Sequence, residues 1–458
     1  MDAPSPLPLA LRTDLPTWKQ VVLLGWPAFV QQLLIFAVGL YDFWLAGAFP
    51  PEGGEHIAAQ AAQNTVQYLS WLLSSYAVLV SVGATALVAR FIGMGDQRGA
   101  VHAANQSLVL AVVLGLLATA CGLAGAEQIV RWLQLEGDAA VFAAEYLQPL
   151  FVAYVFQLIA AAGIACLAGA GDTRMGLYVL GGIALLNVPL ASYFRARYGF
   201  VGITIGTAVS NLIGGVAVLL VLARGRAGLR LRLSQLWPDP PMMRRLLWIS
   251  VPAGVDALLV AVGQLYFLRI VNRLGDVASS AHGISLRWEA LAYLGGTAFG
   301  TAAMTLVGQN LGAGQPARAA RSVWHAFGLC CAVMCGCGVL YLVLAPAMFA
   351  LFCPFAHQRP VIEAGVPVLR FIAVAMPPLA AAIVFTMALR GAGDVRVPVL
   401  FTLVGFFLIR LPLARWLTEP SLGLGLMGAW IAMVIDVFAR GTFVLLRFAG
   451  GRWRGIEV

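Results

Sequence analysis

Eight charged side chains lie inside long apolar stretches of this sequence. The acids are Asp42, Asp256, Glu289 and Asp436, and the bases are Arg287, Arg370, Arg410 and Arg440. In an apolar surrounding a carboxylate binds a proton, a cation or a neighbouring arginine, because an unpaired charge is costly there. These residues are therefore the first candidates for chemistry in the chain.

The first of these acids, Asp42, follows Pro27 by fifteen residues. It shares a helical face with Gln31, because eleven residues turn a helix by about 1100°, close to three full turns. Pro27 removes one backbone hydrogen bond and lets the helix bend. We interpret Asp42 and Gln31 as candidates for binding a proton or a cation, with Pro27 as a hinge. A second interpretation, an idle acid solvated near the outer membrane surface, stays open.

Asp256 lies four residues after Pro252, the second candidate hinge. Gln264 follows two turns later on the same helical face. An acid in this place is able to titrate, which makes Asp256 and Gln264 candidates for ion or substrate binding. A position near the helix start equally fits a local cap or a partner of the helix dipole.

A third group of candidates lies near residues 280–308, where His282 and Glu289 are seven residues apart and share a helical face. Arg287 lies two residues before Glu289, about 200° around the helix, so these two side chains cannot pair side by side. One interpretation places Arg287 and Glu289 in a charge network between helices that faces a cavity. The other is a static set of buried pairs with neighbouring helices.

Asp436 and Arg440 are spaced four residues apart, which places them one turn apart on the same helical face. Each neutralises the charge of the other in that position. We predict a structural ion pair here.

The elements that position these residues are membrane-spanning helices. Of the 458 residues, 61% are hydrophobic and 11% are charged, whereas soluble proteins average about 45–50% and about 25%. The apolar stretches predict twelve spans, near residues 21–49, 58–89, 103–125, 143–168, 175–194, 201–223, 246–272, 280–308, 322–345, 365–389, 397–416 and 423–447. The predicted class is an all-α membrane protein without a soluble catalytic domain, so no enzyme is expected.

The net charge of +9 reflects membrane topology. With a cytoplasmic N-terminus, eighteen basic residues fall in cytoplasmic segments and seven in segments on the other side. This excess predicts that both termini and the basic segment 224–245 are cytoplasmic. Basic residues interleaved with aromatics are missing, which argues against a nucleic-acid partner. The seven cysteines predict no metal site.

Several landmarks recur at a nearly constant distance along the chain. Pro27 returns as Pro252 after 225 residues, GAGD at 169–172 returns at 391–394 after 222, and NVPLA at 187–191 returns as RLPLA at 410–414 after 223. The chain therefore reads as an N-lobe at 1–223, a cytoplasmic linker at 224–245 and a C-lobe at 246–458. Two repeats of six spans start on the same side, so we expect a pseudo-two-fold axis along the membrane normal and a cavity between the lobes.

These landmarks resemble the multidrug and toxic compound extrusion (MATE) transporters. The matching features are the Pro27 and Asp42 pair, the two GAGD loops, AHGISLRWEALAY at 281–293 and LVGQNLGAG at 306–314. The resemblance implies twelve helices in two lobes and export of amphipathic, often cationic compounds in exchange for Na⁺ or H⁺. It also makes Asn187 a candidate site residue.

Two departures from the family pattern concern the coupling ion. Many relatives have an acid four residues after the Asn of span 5, where this chain has Ala191, and one branch has a Glu where this chain has Val260. The few remaining acids favour H⁺ over a Na⁺ site, which needs several oxygen ligands. No cofactor other than the coupling ion is expected.

The alternative function is a flippase for a lipid-linked headgroup. Such a protein favours a strongly basic cavity and often has two further helices, which we do not expect here because the sequence ends soon after its twelfth predicted span. We expect a monomer in the cytoplasmic (inner) membrane that contacts the lipid bilayer and small organic cations.

Overall fold

A computed structural model describes residues 12, 14–48, 55–132, 137–353, 355 and 358–456. The described residues are almost entirely helical, and their only β contact is an isolated bridge between Arg226 and Leu229. Twelve helical segments in the described part are long and apolar enough to cross a membrane. The predicted all-α class with twelve spans is thereby confirmed.

The first six spans are single helices. They are α1 (Thr17–Ala48), α2 (Glu55–Gly93), α3 (Gln97–Trp132), α4 (Gly137–Gly169), α5 (Thr173–Tyr198) and α6 (Val201–Ala223). The turn before α5 shows how the sequence ends one helix and starts the next. Gly171 adopts a φ of +91°, which favours glycine, and Asp172 caps α5 by accepting a hydrogen bond from Met175 N at 3.1 Å.

The second six spans include two interrupted helices. They consist of α7 (Pro240–Asn272), α8 (Asp276–Gly312), α9 (Pro316–Ala350), α10 (Arg359–Ile372), α11 (Met376–Ala392), α12 (Arg396–Leu403), α13 (Leu411–Leu417) and α14 (Gly425–Ala449). A 3-10 turn, Ala373–Ala375, joins α10 to α11 within span 10. A π-helical segment, Val404–Arg410, joins α12 to α13 within span 11. Neither interruption is part of the predicted spans.

The described residues form two compact units. One unit contains residue 12 and the described part of 26–251, and the other contains residues 14–25 and the described part of 252–456. The segment 224–245 and the start of α7 thus belong to the first unit, where Gly83 N donates to Ser250 Oγ at 2.8 Å. The start of α1 belongs to the second unit, where Gly25 packs against the ring of Phe299.

The turn between the fourth and fifth spans of each repeat is closed in the same way. Arg226 Nε lies 2.7 Å from Asp172 Oδ2 in the first unit, and Arg447 Nε lies 2.8 Å from Asp394 Oδ2 in the second. In both cases the aspartate ends a GAGD loop, and the arginine lies at or just beyond the end of the sixth helix of that half. The repeat seen in the sequence is therefore also a repeat of contacts.

Candidate coupling site and buried charge cluster

Three helices of the first unit bring polar side chains together around Asp42. α1 supplies Asp42, α5 supplies Asn187 and α6 supplies Thr207, three residues that we call the Asp42 site. The Thr207 hydroxyl interacts with the Asp42 carboxyl group and donates to Ile203 O at 3.2 Å, and Asn187 Nδ2 donates to Thr207 Oγ1 at 2.9 Å. Thr207 thus connects Asp42 with Asn187.

Two acceptor atoms of the Asp42 site are buried without a hydrogen-bond donor among the described residues. They are Asp42 Oδ1 and Asn187 Oδ1. A buried acceptor without a donor costs about 1–3 kcal/mol, and more if it is charged. A proton on Asp42 turns this carboxylate into a donor, and a bound cation offsets the same deficit. The site is therefore short of positive charge or of hydrogen-bond donors.

Gln31 belongs to a different contact. Its Nε2 donates to the backbone oxygen of Thr173, the first residue of α5, at 2.9 Å. Asp42 lies eleven residues further along α1, which is about 16 Å. The structure does not bring Gln31 into the Asp42 site, because residues on one helical face still differ in height. Closer to Asp42, Tyr41 and Ser192 join α1 to α5 through their hydroxyl groups at 2.5 Å.

Asp436 is the centre of a buried charge cluster in the second unit. Arg410 Nη2 lies 2.7 Å from Asp436 Oδ2, and Arg440 Nε lies 2.8 Å from Asp436 Oδ1. The Asp436 side chain is 0% exposed. We call these three residues the Arg–Asp–Arg cluster. The contact expected between Asp436 and Arg440 is present, and Arg410 adds a second guanidinium to the same carboxylate.

Glu289 is a further buried acid beside the Arg–Asp–Arg cluster. Two guanidiniums share one carboxylate, which leaves one positive charge in excess. Glu289 is buried on α8 and interacts electrostatically with both Arg410 and Arg440. The net charge of these four groups, which come from α8, the π-helical segment and α14, is zero when Glu289 is ionised. It becomes +1 when Glu289 binds a proton.

The π-helical segment shapes the surroundings of the cluster through two adjacent residues. The guanidinium of Arg410 lies 4.1 Å from the centroid of the Phe406 ring, and the guanidinium of Arg440 lies 4.9 Å from it. Both distances favour cation–π attraction. A Cβ atom on Gly405 would lie 2.1 Å from Asp436 Oδ1. Only glycine therefore lets the backbone pass so close to the carboxylate.

Gln264 and His282 both lie near Arg410 of this cluster. Arg410 Nη1 is 3.5 Å from Gln264 Oε1. The ring of His282 packs between Phe267 and Trp430, with centroid distances of 5.6 and 5.5 Å, and its Nδ1 is buried without a partner among the described residues. Gln264 therefore borders the buried charges, whereas His282 lies among aromatic rings.

Asp256 forms an ion pair that sequence spacing did not reveal. Arg390 Nη2 of α11 lies 2.5 Å from Asp256 Oδ2, and both side chains are largely buried. Asp256 Oδ1 and Arg390 Nε each remain buried without a hydrogen-bond partner among the described residues. Asp256 is therefore neutralised by a neighbouring helix. The interpretation as a cap or dipole partner near a helix start is wrong, because Asp256 lies sixteen residues after Pro240, the first residue of α7.

Arg287 lies beside an aromatic ring and a cavity. Its guanidinium is 5.7 Å from the ring of Phe352, and it lines a cavity of about 570 Å³ together with Asp276 and Gln358. Glu289 faces Arg410 and Arg440 instead, because two residues turn the helix by about 200°. The structure thus separates Arg287 from the charge network that contains Glu289.

Two residues that complete these sites, Thr207 and Arg390, are absent from the candidates drawn from the sequence. Helical periodicity shows which residues share a face, but not which helices are neighbours. Arg410 is among the embedded bases, but the sequence assigns it no partner. A further signal is that it occupies the place of Asn187 in the repeated NVPLA and RLPLA motifs.

Comparisons with known proteins agree with this architecture. The MatE family model matches residues 27–193 and 252–416. A probable multidrug resistance protein NorM of Thermotoga maritima is 26% identical over 441 residues, which cover 95% of this chain and 93% of that protein. The multidrug resistance protein PmpM of Pseudomonas aeruginosa is 27% identical over 468 residues, covering 98% and 94%.

Solved structures show the same fold. One, described as the outward-facing conformation of a multidrug resistance MATE family transporter of the MOP superfamily, has a TM-score of 0.88 at 19% identity, covering 99% of this chain and 98% of that one. Another, a MOP superfamily transporter from Pyrococcus furiosus with a binding pocket of reverse polarity, has a TM-score of 0.90, also at 19% identity and with the same coverage. The chain belongs to the MatE family and is a multi-pass membrane transporter rather than an enzyme.

Proposed function

We propose that the chain exports amphipathic, often cationic organic compounds from the cytoplasm in exchange for protons. Asp42 binds the coupling proton in this proposal. The observation that supports it is the pair of buried acceptor oxygens without donors, Asp42 Oδ1 and Asn187 Oδ1. The relatives named as multidrug resistance proteins match the chain over nearly its full length, which supports the class of substrate.

Proton binding and cation release are linked through the charge of Asp42. The ionised carboxylate attracts a cationic compound, whereas the protonated form does not, so the two ligands compete for one site. Pro27 and Pro252 lie where α1 and α7 pass from one compact unit to the other. In this proposal they are the hinges about which these helices bend during alternating access.

The proposal favours H⁺ over Na⁺ on the basis of the ligands at hand. The Asp42 site offers four oxygen atoms, two from the carboxylate, one from the amide and one from the hydroxyl, whereas a hard cation such as Ca²⁺ takes about 6–8 oxygen ligands. A flippase for a lipid-linked headgroup has less support, because basic groups that bind phosphate have to be available. Among the described residues, Arg390, Arg410 and Arg440 are each engaged with a carboxylate.

The test measures transport of a fluorescent organic cation in proteoliposomes with an imposed proton gradient or an imposed Na⁺ gradient. Wild type should respond to the proton gradient alone and should release protons when the compound is added in the absence of a gradient. Asp42→Asn should lose both activities, because the amide neither binds a proton nor carries a negative charge.

The matched control is Glu419→Gln, which removes an exposed acid and should behave as wild type. Transport driven by Na⁺ alone would contradict the coupling ion of the proposal. Proton-driven transport by Asp42→Asn at the wild-type rate would contradict the role of Asp42.

A further inference from the structure

The segment between α6 and α7 combines basic and exposed apolar side chains. We call residues 224–239 the connecting segment. Its arginines at 224, 230 and 232 are exposed and form no ion pair with another described residue, whereas Arg226 is paired with Asp172. Leu233 and Trp237 are 83% and 86% exposed. Large apolar groups exposed to this extent beside positive charge are typical of a segment that lies in a membrane interface.

Two buried amides of α3 hold the backbone of the connecting segment in place. Asn105 Nδ2 donates to Arg230 O, and Asn105 Oδ1 accepts from Arg232 N, both at 3.0 Å. Gln106 Nε2 donates to Gln235 O and Trp237 O, both at 2.8 Å. Asn105 is 1% and Gln106 is 0% exposed. The Trp237 side chain is therefore exposed although its backbone is held by hydrogen bonds.

The contacts also define the level of the connecting segment along the helices. Leu231 N donates to Leu222 O at 2.9 Å, which places this residue beside the last turn of α6. Gln106, which binds the backbone of Trp237, lies nine residues into α3, about 13 Å from its start. The segment thus folds back along the ends of α3 and α6, two helices that are long and apolar enough to cross a membrane.

We infer that the connecting segment is a binding site for anionic phospholipids. Trp237 and Leu233 insert among the lipid chains near the headgroups, and Arg224, Arg230 and Arg232 bind lipid phosphates. Arginine suits this role because its guanidinium forms bidentate hydrogen bonds to phosphate. The charge of the segment selects anionic over zwitterionic lipids, since each basic residue near a charged membrane surface strengthens binding. This site is independent of proton coupling and of the transported compound.

Quenching of Trp237 fluorescence by brominated lipids tests this inference on the full chain. The protein is reconstituted into bilayers of equal parts phosphatidylglycerol and phosphatidylcholine, with bromine near the headgroup end of the chains of one lipid or the other. The contribution of Trp237 is the difference between wild type and Trp237→Phe. We expect this contribution to be quenched by both lipids, and more strongly by brominated phosphatidylglycerol.

The double variant Arg230→Gln and Arg232→Gln should reduce the preference for phosphatidylglycerol at least about fivefold, the effect of one basic residue at a membrane surface. The matched control, Arg273→Gln with Arg452→Gln, removes two exposed arginines elsewhere and should keep the preference. Unquenched Trp237, equal quenching by the two lipids in wild type, or a preference that survives in the double variant would each overturn the inference.

Discussion

At the scale of single residues, the Asp42 site and the Arg–Asp–Arg cluster treat buried charge in opposite ways. The Asp42 site leaves acceptor oxygens of Asp42 and Asn187 without donors among the described residues. The cluster surrounds Asp436 with two guanidiniums, and Glu289 lies beside it. A change of one side chain should therefore affect transport at the Asp42 site and stability at the cluster.

Thr207→Val tests the connection within the Asp42 site. Valine has nearly the shape of threonine but lacks the hydroxyl that accepts from Asn187 Nδ2, so Asn187 loses its anchor next to Asp42. We expect proton-driven transport to fall at least about tenfold, equivalent to about 1.4 kcal/mol, while folding is kept. Thr204→Val is the matched control on α6, because the Thr204 hydroxyl has no partner among the described residues. Equal transport by the two variants would show that Thr207 does not position the site.

Asp436→Asn tests the Arg–Asp–Arg cluster. Loss of the carboxylate leaves two buried guanidiniums without their partner, which should destabilise the protein by about 3–5 kcal/mol. Thermal unfolding in detergent measures this effect. Glu363→Gln is the control, because it breaks another i,i+4 ion pair, with Arg359, that is largely exposed and should cost less than about 1 kcal/mol. A similar small loss in both variants would mean that the cluster contributes little to stability.

At the scale of the helices, regular spans are predicted from the sequence, whereas their interruptions are not. The apolar stretch at 322–345 predicts the ninth span, and it lies inside the observed helix α9, Pro316–Ala350. The prediction succeeds because the length of an apolar stretch indicates whether a helix crosses the bilayer. The π-helical segment at Val404–Arg410 has the same apolar composition as a regular span, so hydropathy does not distinguish it. The pairing of Asp256 with Arg390 is missed for a related reason, since 134 residues separate the partners and periodicity does not identify neighbouring helices.

Gly405→Ala tests the close approach that the π-helical segment requires. The new methyl group would meet Asp436 Oδ1 and the Arg440 side chain, at 2.1 and 2.6 Å. Overpacking of this kind costs about 1–3 kcal/mol, so the midpoint of thermal unfolding should fall. Gly336→Ala on α9 is the control, because nothing lies within 4 Å of its Cβ position and alanine favours a helix. If Gly405→Ala unfolded at the same temperature as wild type, the π-helical segment would be able to accommodate the methyl group without a loss of stability.

At the scale of the whole molecule, the two halves share sequence landmarks but have different residue types at corresponding positions. Asp42 follows Pro27 by fifteen residues, and Phe267 follows Pro252 by the same number. The place of Asn187 is taken by Arg410 in the second half, and the Arg410 guanidinium lies 5.7 Å from the Phe267 ring. An acid beside an amide in one half thus corresponds to an aromatic ring beside a cation in the other.

Orientation in the membrane is also a property of the whole chain. The excess of arginine in alternate connections predicts that the connecting segment is cytoplasmic and that the turn between α7 and α8 faces outward. In intact cells, a membrane-impermeant maleimide should label Arg273→Cys but not Ser234→Cys, two exposed positions, with wild type giving the background of the native cysteines. Permeabilised cells should show labelling at both. Labelling of Ser234→Cys in intact cells would reverse the predicted topology.

The π-helical segment in span 11 has a consequence for the history of the chain. In the first half, fifteen residues separate Asp172 from Asn187, and in the second, sixteen separate Asp394 from Arg410. A π turn holds one residue more than an α turn, so the segment accounts for the difference without displacing either end of the helix. In evolutionary terms, the two halves differ by one codon at this point, and the π-helical segment accommodates the additional residue beside Arg410.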